Sequence, residues 1–204
     1  MKKMIMFISV SAMLGATLTV HAVGNAAAGK NKATGCIPCH MLDGNSLFPD
    51  YPKLAGQHFD YLIKSMKGYK GGNRKNNEIM SPIAGEYLKN ESDMDDLAAY
   101  FSTQKSNSCT GKPDIDPEKV KAGKAKAAAS CTSICHGEDG NSQKSLYPKL
   151  AGQHQAYLIN AMKAYKTGTR KDPHMSPMAT FFVDESTMEN LAAYFASQKS
   201  DTCQ

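Results

Sequence analysis

Two short cysteine–histidine motifs contain the residues whose types and spacing could do chemistry. The first is Cys36-Ile37-Pro38-Cys39-His40, and the second is Cys131-Thr132-Ser133-Ile134-Cys135-His136. A pair of cysteines followed directly by a histidine is typical of a site of covalent haem attachment. The thiols would form thioethers to the porphyrin, and the histidine would give the iron an axial nitrogen. The first motif therefore predicts a covalently bound haem c.

The second motif is less regular, because three residues rather than two separate its cysteines. Either the extra residue bulges out of the turn, or one thioether is lost. A zinc site would need a second close pair of Cys or His residues near each motif, and the sequence has none. A thioredoxin-like redox pair would need a strand-to-helix context, which the flanking sequence does not offer.

The sequence contains nearly the same pattern twice, and this duplication supports a haem at the second motif. Tyr51 to His58 recurs unchanged as Tyr147 to His154, and Leu97 to Phe101 recurs as Leu191 to Phe195. A copy of about 85–90 residues is small for a self-supporting core, and a buried haem would supply the missing apolar surface. We therefore predict two copies of one domain, each with a covalent haem c.

The N-terminus has the features of a secretory signal peptide. Lys2 and Lys3 precede a mostly apolar stretch, and a small-residue cleavage site follows at Val20-His21-Ala22. An uncleaved membrane anchor is the alternative, but the stretch is short for a span of about 20 residues. A later stretch rich in proline and glycine indicates a linker. We predict a removed signal peptide at 1–22, a first domain at 23–110, a linker at 111–117 and a second domain at 118–204.

The charge of the chain argues against a nucleic-acid-binding protein. The 24 basic and 19 acidic residues give a formal net charge of +5. Cleavage of the signal peptide would remove two lysines. The remaining basic residues are spread along the chain and do not form a cluster. Export would place the cysteines in an oxidising compartment, where those not bonded to haem tend to pair.

Apolar spacing predicts an all-α fold. The run from Tyr61 to Tyr69 has apolar residues at helical spacing, as does its counterpart in the second copy. Asp116 followed by Pro117 has the features of a helix start. No stretch shows the sustained alternation that is typical of a strand. We predict an all-α fold of two tandem domains related by internal duplication, each with four or five helices.

Three pairs of methionines could supply the second axial ligand of each iron: Met66 with Met162, Met94 with Met188, and Met80 with Met175. The first two pairs lie on predicted helices, where core packing is the expected role. The third pair lies beside a proline in a predicted loop, where a thioether could approach the open face of the iron. We therefore predict Met80 and Met175 as axial ligands.

A histidine and a methionine together would leave no vacant position on the iron. Substrate chemistry at the metal is then disfavoured. Thioether ligation also raises the reduction potential, which suits an electron carrier. We predict an electron carrier and not an enzyme.

Other repeated residues have expected roles around the haem. The carbonyls of Pro52 and Pro148 could accept the Nδ1–H of the axial histidines, or the prolines could simply make rigid turns. His58 and His154 are expected to cap a helix or to bond a haem propionate.

Two further sets of repeated residues have alternative interpretations. Cys109 and Cys203 lie just beyond the last helix of each copy, and an interdomain disulfide would need their Cα atoms within about 7 Å. Free thiols and an intermolecular link are the alternatives. Repeated basic residues could form a docking surface for acidic partners, although a charged helix face is more often only solvated. These basic residues are Lys67, Lys70, Arg74, Lys163, Lys166 and Arg170.

On these residues the chain resembles cytochrome c4, a family of periplasmic two-haem cytochromes built from two class I cytochrome c domains. The resemblance covers the whole mature chain. It rests on the paired haem motifs, the Tyr-Pro-Lys-Leu-Ala-Gly-Gln blocks, the Met-Ser-Pro segments and the Ala-Ala-Tyr-Phe helices. It implies His40 with Met80 on one iron, and His136 with Met175 on the other.

The resemblance also implies a packing detail and a function. Tyr100 and Tyr194 should pack on the first helix of their domains, near Gly29 and Gly123. The chain should be a monomeric electron carrier of the periplasm, soluble or peripherally associated with the membrane. Its partners would be redox proteins, namely the quinol-oxidising respiratory complex and a terminal oxidase.

Two other functions compete with this one. Similar two-haem chains act as the cytochrome subunit of a flavin-dependent sulfide dehydrogenase, in which the flavin partner does the chemistry. A two-haem peroxidase would need a vacant or readily freed position on one iron, and the duplicated methionine segment argues against that.

Overall fold

The computed structural model describes residues 24–75, 77–110, 114–182 and 184–203. Within these ranges the regular structure is helical, which confirms the all-α class. No helix in them has the length and apolar character needed to cross a bilayer. The predicted signal peptide at 1–22 and residues 111–113 of the predicted linker lie outside the described residues.

Helices follow one another in the same order in both halves of the chain. The first half (residues 24–110) contains α1 (Ala26–Lys32), α2 (Ile37–His40), α3 (Phe59–Lys70), α4 (Met80–Tyr87) and α5 (Glu91–Ser102). The second half (residues 114–203) contains α6 (Pro117–Ser130), α7 (Gln155–Thr167), α8 (Met175–Phe182) and α9 (Glu185–Ser197). Helix α1 has 7 residues, whereas its counterpart α6 has 14.

The first helix of each half crosses the last helix at a glycine. Helix α1 packs on α5 at Gly29, and α6 packs on α9 at Gly123. A Cβ atom at either position would overlap the backbone of the facing helix and the Cβ of Tyr100 or Tyr194. Only glycine allows so close an approach. The two tyrosines therefore lie where the family resemblance implies.

Side-chain caps determine where two of the helices begin. The Asp116 side chain accepts a hydrogen bond from the Glu118 N–H at 2.9 Å, and Pro117 lies in the first turn of α6. This confirms the predicted helix start. At α5, Asn90 accepts from the Asp93 N–H at 2.9 Å, and the Asp93 carboxylate accepts from the Asn90 N–H. The reciprocal pair is a capping box.

Each half has its own hydrophobic core. The apolar face of α5 lies in the first core, and the equivalent face of α9 lies in the second. Met94 and Met188 are buried to 3% and 2% exposure, as expected for packing residues. Cys36 and Met80 pack against the edge of the first core, and Cys131 packs against the edge of the second.

Loop segments of the two halves meet across a shared interface. Arg74 and Arg170 form an isolated antiparallel backbone bridge. Cys109 and Cys203 form a disulfide with 5.2 Å between their Cα atoms. Of the alternatives that the sequence left open for these cysteines, the structure shows the interdomain disulfide.

Candidate haem sites

One cavity of about 910 Å³, called here the central cavity, extends through both halves of the protein. All the site residues predicted from the sequence line it: Cys36, Cys39, His40, Met80, Cys131, Cys135, His136 and Met175. The fold therefore brings both motifs and both candidate methionines to one continuous space.

The histidine of each motif is buried and oriented by a proline carbonyl. The Nδ1 of His40 lies 2.8 Å from the Pro52 oxygen, and the Nδ1 of His136 lies 3.1 Å from the Pro148 oxygen. Because a carbonyl only accepts, Nδ1 must carry the proton, and Nε2 keeps the lone pair that a metal needs. Burial lowers the pKa of both imidazoles and favours this neutral form. The expected role of the two prolines is confirmed.

The cysteines of the first motif lie on a tight helical segment. A 3₁₀ turn, Ala33–Cys36, leads directly into α2, which contains Cys39 and ends at His40. Both cysteines are half-buried. Burial, and to a smaller extent the neighbouring Cys39, raises the pKa of the Cys36 thiol to about 11. Before a thioether forms, this thiol therefore stays protonated at neutral pH.

A π-helical turn, Thr132–His136, contains the extra residue of the second motif. The His136 N–H donates to the Cys131 carbonyl at 3.2 Å, which is the i to i+5 bond of a π-helix. The wider turn has room for a third residue between the cysteines, and Ile134 is 67% exposed. The extra residue therefore bulges within the turn, while Cys131 and Cys135 both stay beside the cavity.

Met80 and Met175 are the first residues of α4 and α8, so the prediction that they lie in a loop was wrong. The side chains of Asn77 and Asp172 accept hydrogen bonds from the two methionine N–H groups, at 2.8 and 3.0 Å. The proline two residues further on is tolerated because N–H groups of the first turn have no helical partner. Each methionine is thus held at a defined helix start and is half-buried.

The other methionine pairs differ in their relation to the central cavity. Met66 and Met162 also line it, whereas the buried pair Met94 and Met188 does not. The structure therefore reduces the three candidate pairs to two.

Two buried arginines lie between the halves. The Arg170 Nη2 donates to the Tyr61 hydroxyl at 2.6 Å, and the Arg74 Nη2 donates to the Tyr157 hydroxyl at 3.3 Å, so both bonds cross the interface. Each guanidinium also stacks on a tyrosine ring of its own half. The expectation of a solvated or docking face is wrong for this pair, because Arg74 and Arg170 are only 6% and 4% exposed.

The charges of these arginines fit a haem. A buried charge is costly unless it is paired. Across the described ranges neither guanidinium has a carboxylate within ion-pair distance, and the Arg74 Nε has no hydrogen-bond partner. Both arginines line the central cavity. The propionate groups of a haem are carboxylates that could supply the missing partner.

The positive charge also acts on a neighbouring phenol. Burial would raise the pKa of Tyr61, but the guanidiniums of Arg170 and Arg74 outweigh it and lower that pKa to about 8. The sequence singled out these two arginines only as repeated basic residues, and did not predict that they are buried beside the cavity. The signal that could have identified them is that each follows a repeated tyrosine by five residues in both copies.

The repeated histidines His58 and His154 also connect the halves. The Nε2 of His58 donates to the Ser142 carbonyl at 2.7 Å, and the Nε2 of His154 donates to the Ser46 carbonyl at 2.8 Å. Neither side chain caps the helix that follows it, so the helix-capping alternative was wrong, whereas the bond to a haem propionate stays a prediction. The hydroxyls of Ser46 and Ser142 in turn donate to the carbonyl of the second cysteine of each motif. Hydrogen bonds through Ser46 and Ser142 therefore connect the interface to both motifs.

Comparisons with known proteins agree with this arrangement. The cytochrome c family profile matches residues 26–105 and 120–199. The chain is 38% identical over 176 residues to cytochrome c4 of Azotobacter vinelandii, covering 77% of this chain and 80% of that protein. It is 32% identical over 176 residues to a Stutzerimonas stutzeri protein named thiosulfate dehydrogenase electron acceptor, covering 81% and 79%.

A solved structure shares the whole two-domain arrangement. The crystal structure of reduced recombinant cytochrome c4 from Pseudomonas stutzeri has a TM-score of 0.73 and 29% identity, covering 86% of this chain and 99% of that one. Each range that the family profile matches contains one haem motif. The protein carries two covalently bound haem c groups, one at Cys36 and Cys39 and one at Cys131 and Cys135. The chain belongs to the cytochrome c family, as a di-haem cytochrome c4.

Proposed function

We propose that this di-haem electron-transfer protein carries electrons in the periplasm from a quinol-oxidising respiratory complex toward a terminal oxidase. We further propose that His40 and Met80 ligate one iron, and that His136 and Met175 ligate the other. The observation that carries the proposal is that both halves present a histidine and a methionine to one continuous cavity.

Saturated iron favours a carrier over a catalyst. When bound, a haem supplies a one-electron redox couple. An imidazole on one side and a thioether on the other leave no position for a substrate, and the thioether raises the potential. The protein holds each imidazole through a proline carbonyl and starts a helix at each methionine. Such a rigid setting allows little ligand movement between the two oxidation states.

The proposed location is supported by two features. The first 22 residues have the composition of a signal peptide. The Cys109–Cys203 disulfide belongs to an oxidising compartment, since disulfides rarely persist in a reducing cytosol. We propose that the protein works as a monomer, either free in the periplasm or peripherally bound to the membrane.

A second candidate function is electron acceptor for a dehydrogenase of inorganic sulfur compounds. It is favoured by the relative from Stutzerimonas stutzeri, whose name describes the electron acceptor of thiosulfate dehydrogenase. The cytochrome subunit of a flavin-dependent sulfide dehydrogenase is a related possibility, and that subunit would be purified as a heterodimer.

The test begins with the mature protein made in a haem-attaching host. Mass spectrometry is expected to show the mass of two haems. The oxidised protein is then mixed either with a quinol-oxidising complex and quinol, or with thiosulfate or sulfide dehydrogenase and its substrate, while haem reduction is followed by absorbance. Fast reduction by the first system and reoxidation by a terminal oxidase support the proposal, whereas fast reduction only by a dehydrogenase supports the second candidate. A single haem mass, or cyanide binding to the resting protein, would contradict two saturated irons.

A further inference from the structure

Two buried glutamines connect each half of the protein to the backbone of the other half. The Gln153 Oε1 accepts from the Lys53 N–H at 2.9 Å, and its Nε2 donates to the Lys53 carbonyl at 2.9 Å. Gln57 makes the same pair of bonds to Lys149, at 2.9 and 3.0 Å. Gln57 and Gln153 are only 7% and 6% exposed. Each side-chain amide therefore pairs with the opposite backbone as a neighbouring strand would.

The peptide group that Gln153 contacts also holds the axial histidine of the first half. The Pro52–Lys53 amide is one planar unit. Its carbonyl accepts the His40 Nδ1–H at 2.8 Å, and its N–H donates to the Gln153 Oε1 at 2.9 Å. A single amide thus joins the imidazole of one half to a glutamine of the other.

The second half repeats this connection in the opposite direction. The carbonyl of the Pro148–Lys149 amide accepts the His136 Nδ1–H at 3.1 Å, and the N–H of that amide donates to the Gln57 Oε1 at 2.9 Å. The two connections cross at the interface between the halves.

We propose that Gln153 tunes the reduction potential of the haem in the first half, and that Gln57 tunes the haem in the second half. This inference rests on the proposed ligation by His40 and His136. A hydrogen bond accepted from an amide N–H polarises the amide and makes its carbonyl oxygen a stronger acceptor. A stronger acceptor at Nδ1 makes the imidazole a more basic ligand. The more basic ligand stabilises oxidised iron and lowers its potential.

The contacts of the two glutamines distinguish this role from simple interface packing. A glutamine that only held the halves together would affect both haems alike when it was removed. A glutamine that acts through the proline–lysine amide affects only the haem of the opposite half. Gln57 and Gln153 are therefore positioning residues whose effects should cross the interface.

The test measures the potential of each haem in Gln153→Met and Gln57→Met, which keep the side-chain length but lose the polar atoms. Spectroelectrochemical titration gives the two potentials, and the Met80→His and Met175→His variants assign them, since replacing the thioether lowers the potential of the altered half. In Gln153→Met the potential of the first-half haem should rise, with the equilibrium constant for reduction increasing about threefold. At 59 mV per tenfold this is about 28 mV. The second-half haem should not move.

Gln57→Met should produce the reciprocal result, with a rise at the second-half haem alone. Equal shifts of both haems, a shift confined to the glutamine's own half, or no shift would overturn the proposal. A second readout is the proton NMR resonance of the His40 Nδ1–H in the reduced protein, which should move upfield in Gln153→Met because its hydrogen bond weakens.

A further variant keeps the proposal testable if the methionine variants do not fold. Gln153→Glu retains an oxygen acceptor of the same reach, so the first-half potential should stay level or fall, and a rise would overturn the inference. Failure of the proposed ligation is recognised separately. If His40→Ala left the haem spectrum unchanged, the ligand assignment would be wrong. If the glutamine variants instead kept the wild-type haem spectrum and the wild-type potentials, only the tuning would be rejected.

Discussion

Cys109 and Cys203 are joined by a disulfide across 94 residues of sequence, with their Cα atoms 5.2 Å apart. The residue before each cysteine packs against the opposite half. Thr202 lies against Gly56 and Ser108 lies against Gly152, where a Cβ atom would overlap the facing side chain. The C-terminal segment of each half therefore packs against the other half, and the disulfide joins the two segments.

Removing this disulfide should destabilise the protein. The double variant Cys109→Ser with Cys203→Ser is expected to lose roughly 2–5 kcal/mol of unfolding free energy, because a long loop is no longer closed in the unfolded chain. Guanidinium unfolding followed by circular dichroism measures the loss. Wild-type protein treated with a phosphine reductant is the control and should lose a similar amount, while the variant should not respond to the reductant. An unchanged midpoint in the variant would contradict the prediction.

The helix crossing at Gly29 should not accept even a methyl group. Gly29→Ala is expected to cost about 1–3 kcal/mol or more, because the new Cβ would overlap the backbone of α5. Gly85→Ala is the matched control, since Gly85 is exposed on α4 with no heavy atom within 4 Å of the added Cβ. It should stabilise the protein by roughly 0.5–1 kcal/mol. Thermal unfolding of both variants checks the prediction, which fails if their melting temperatures shift in the same direction.

Loss of a buried guanidinium should lower a haem potential. In Arg74→Gln a positive charge beside the central cavity disappears, so the oxidised haem is less destabilised and at least one of the two potentials should fall. Potentiometric titration gives the values. Lys67→Gln is the control, because Lys67 is exposed on α3 and forms an ion pair with Glu91, the first residue of α5. Equal effects of the two substitutions would show that the arginine has no special relation to the haem.

The two candidate methionine pairs can be separated by spectroscopy. Met80→Ala and Met175→Ala should each remove about half of the weak far-red absorption band that an iron–thioether bond gives in the oxidised protein. Met66→Leu is the matched control, because Met66 also lines the cavity but lies on α3. It should leave the band intact. Loss of the band in Met66→Leu would transfer the ligand assignment to that methionine.

The π-helical turn should be dispensable for haem attachment. Deletion of Ile134, which is 67% exposed, restores two residues between Cys131 and Cys135. The shorter turn should still bring both thiols to the cavity, so mass spectrometry should again show two haems per chain. A product with one haem would mean that the attachment of the second haem depends on the wider turn.

Most of the features that the sequence predicted correctly depend on residues close together along the chain. The cysteines and histidine of each motif lie within six residues, and Pro52 and Pro148 follow the histidines by 12 residues in both copies. Helix starts such as Asp116 depend on one turn of backbone. These features are local, so residue type and spacing identified them. The methionine segments were local too, but a proline in a first helical turn has the same pattern as a proline in a loop.

Long-range pairing could not be read in the same way. Arg74 has the pattern of a residue on a solvated helix end, and only the opposite half of the chain buries it against Tyr157. His58 has the pattern of a helix-capping residue, and only the folded protein places it against the Ser142 carbonyl. Neither pairing leaves a periodic signal, because the partners are more than 80 residues apart.

By itself the sequence determined a duplicated helical unit, two covalent haem motifs and the histidine that serves each motif. Only the tertiary structure decided how the two copies face each other, and with this the disulfide, the buried arginines and the crossed glutamine contacts. The reason is physical. Attachment chemistry depends on atoms a few bonds apart along the backbone, whereas the pairing of two copies depends on the shape and charge of surfaces that become neighbours only after each half has folded.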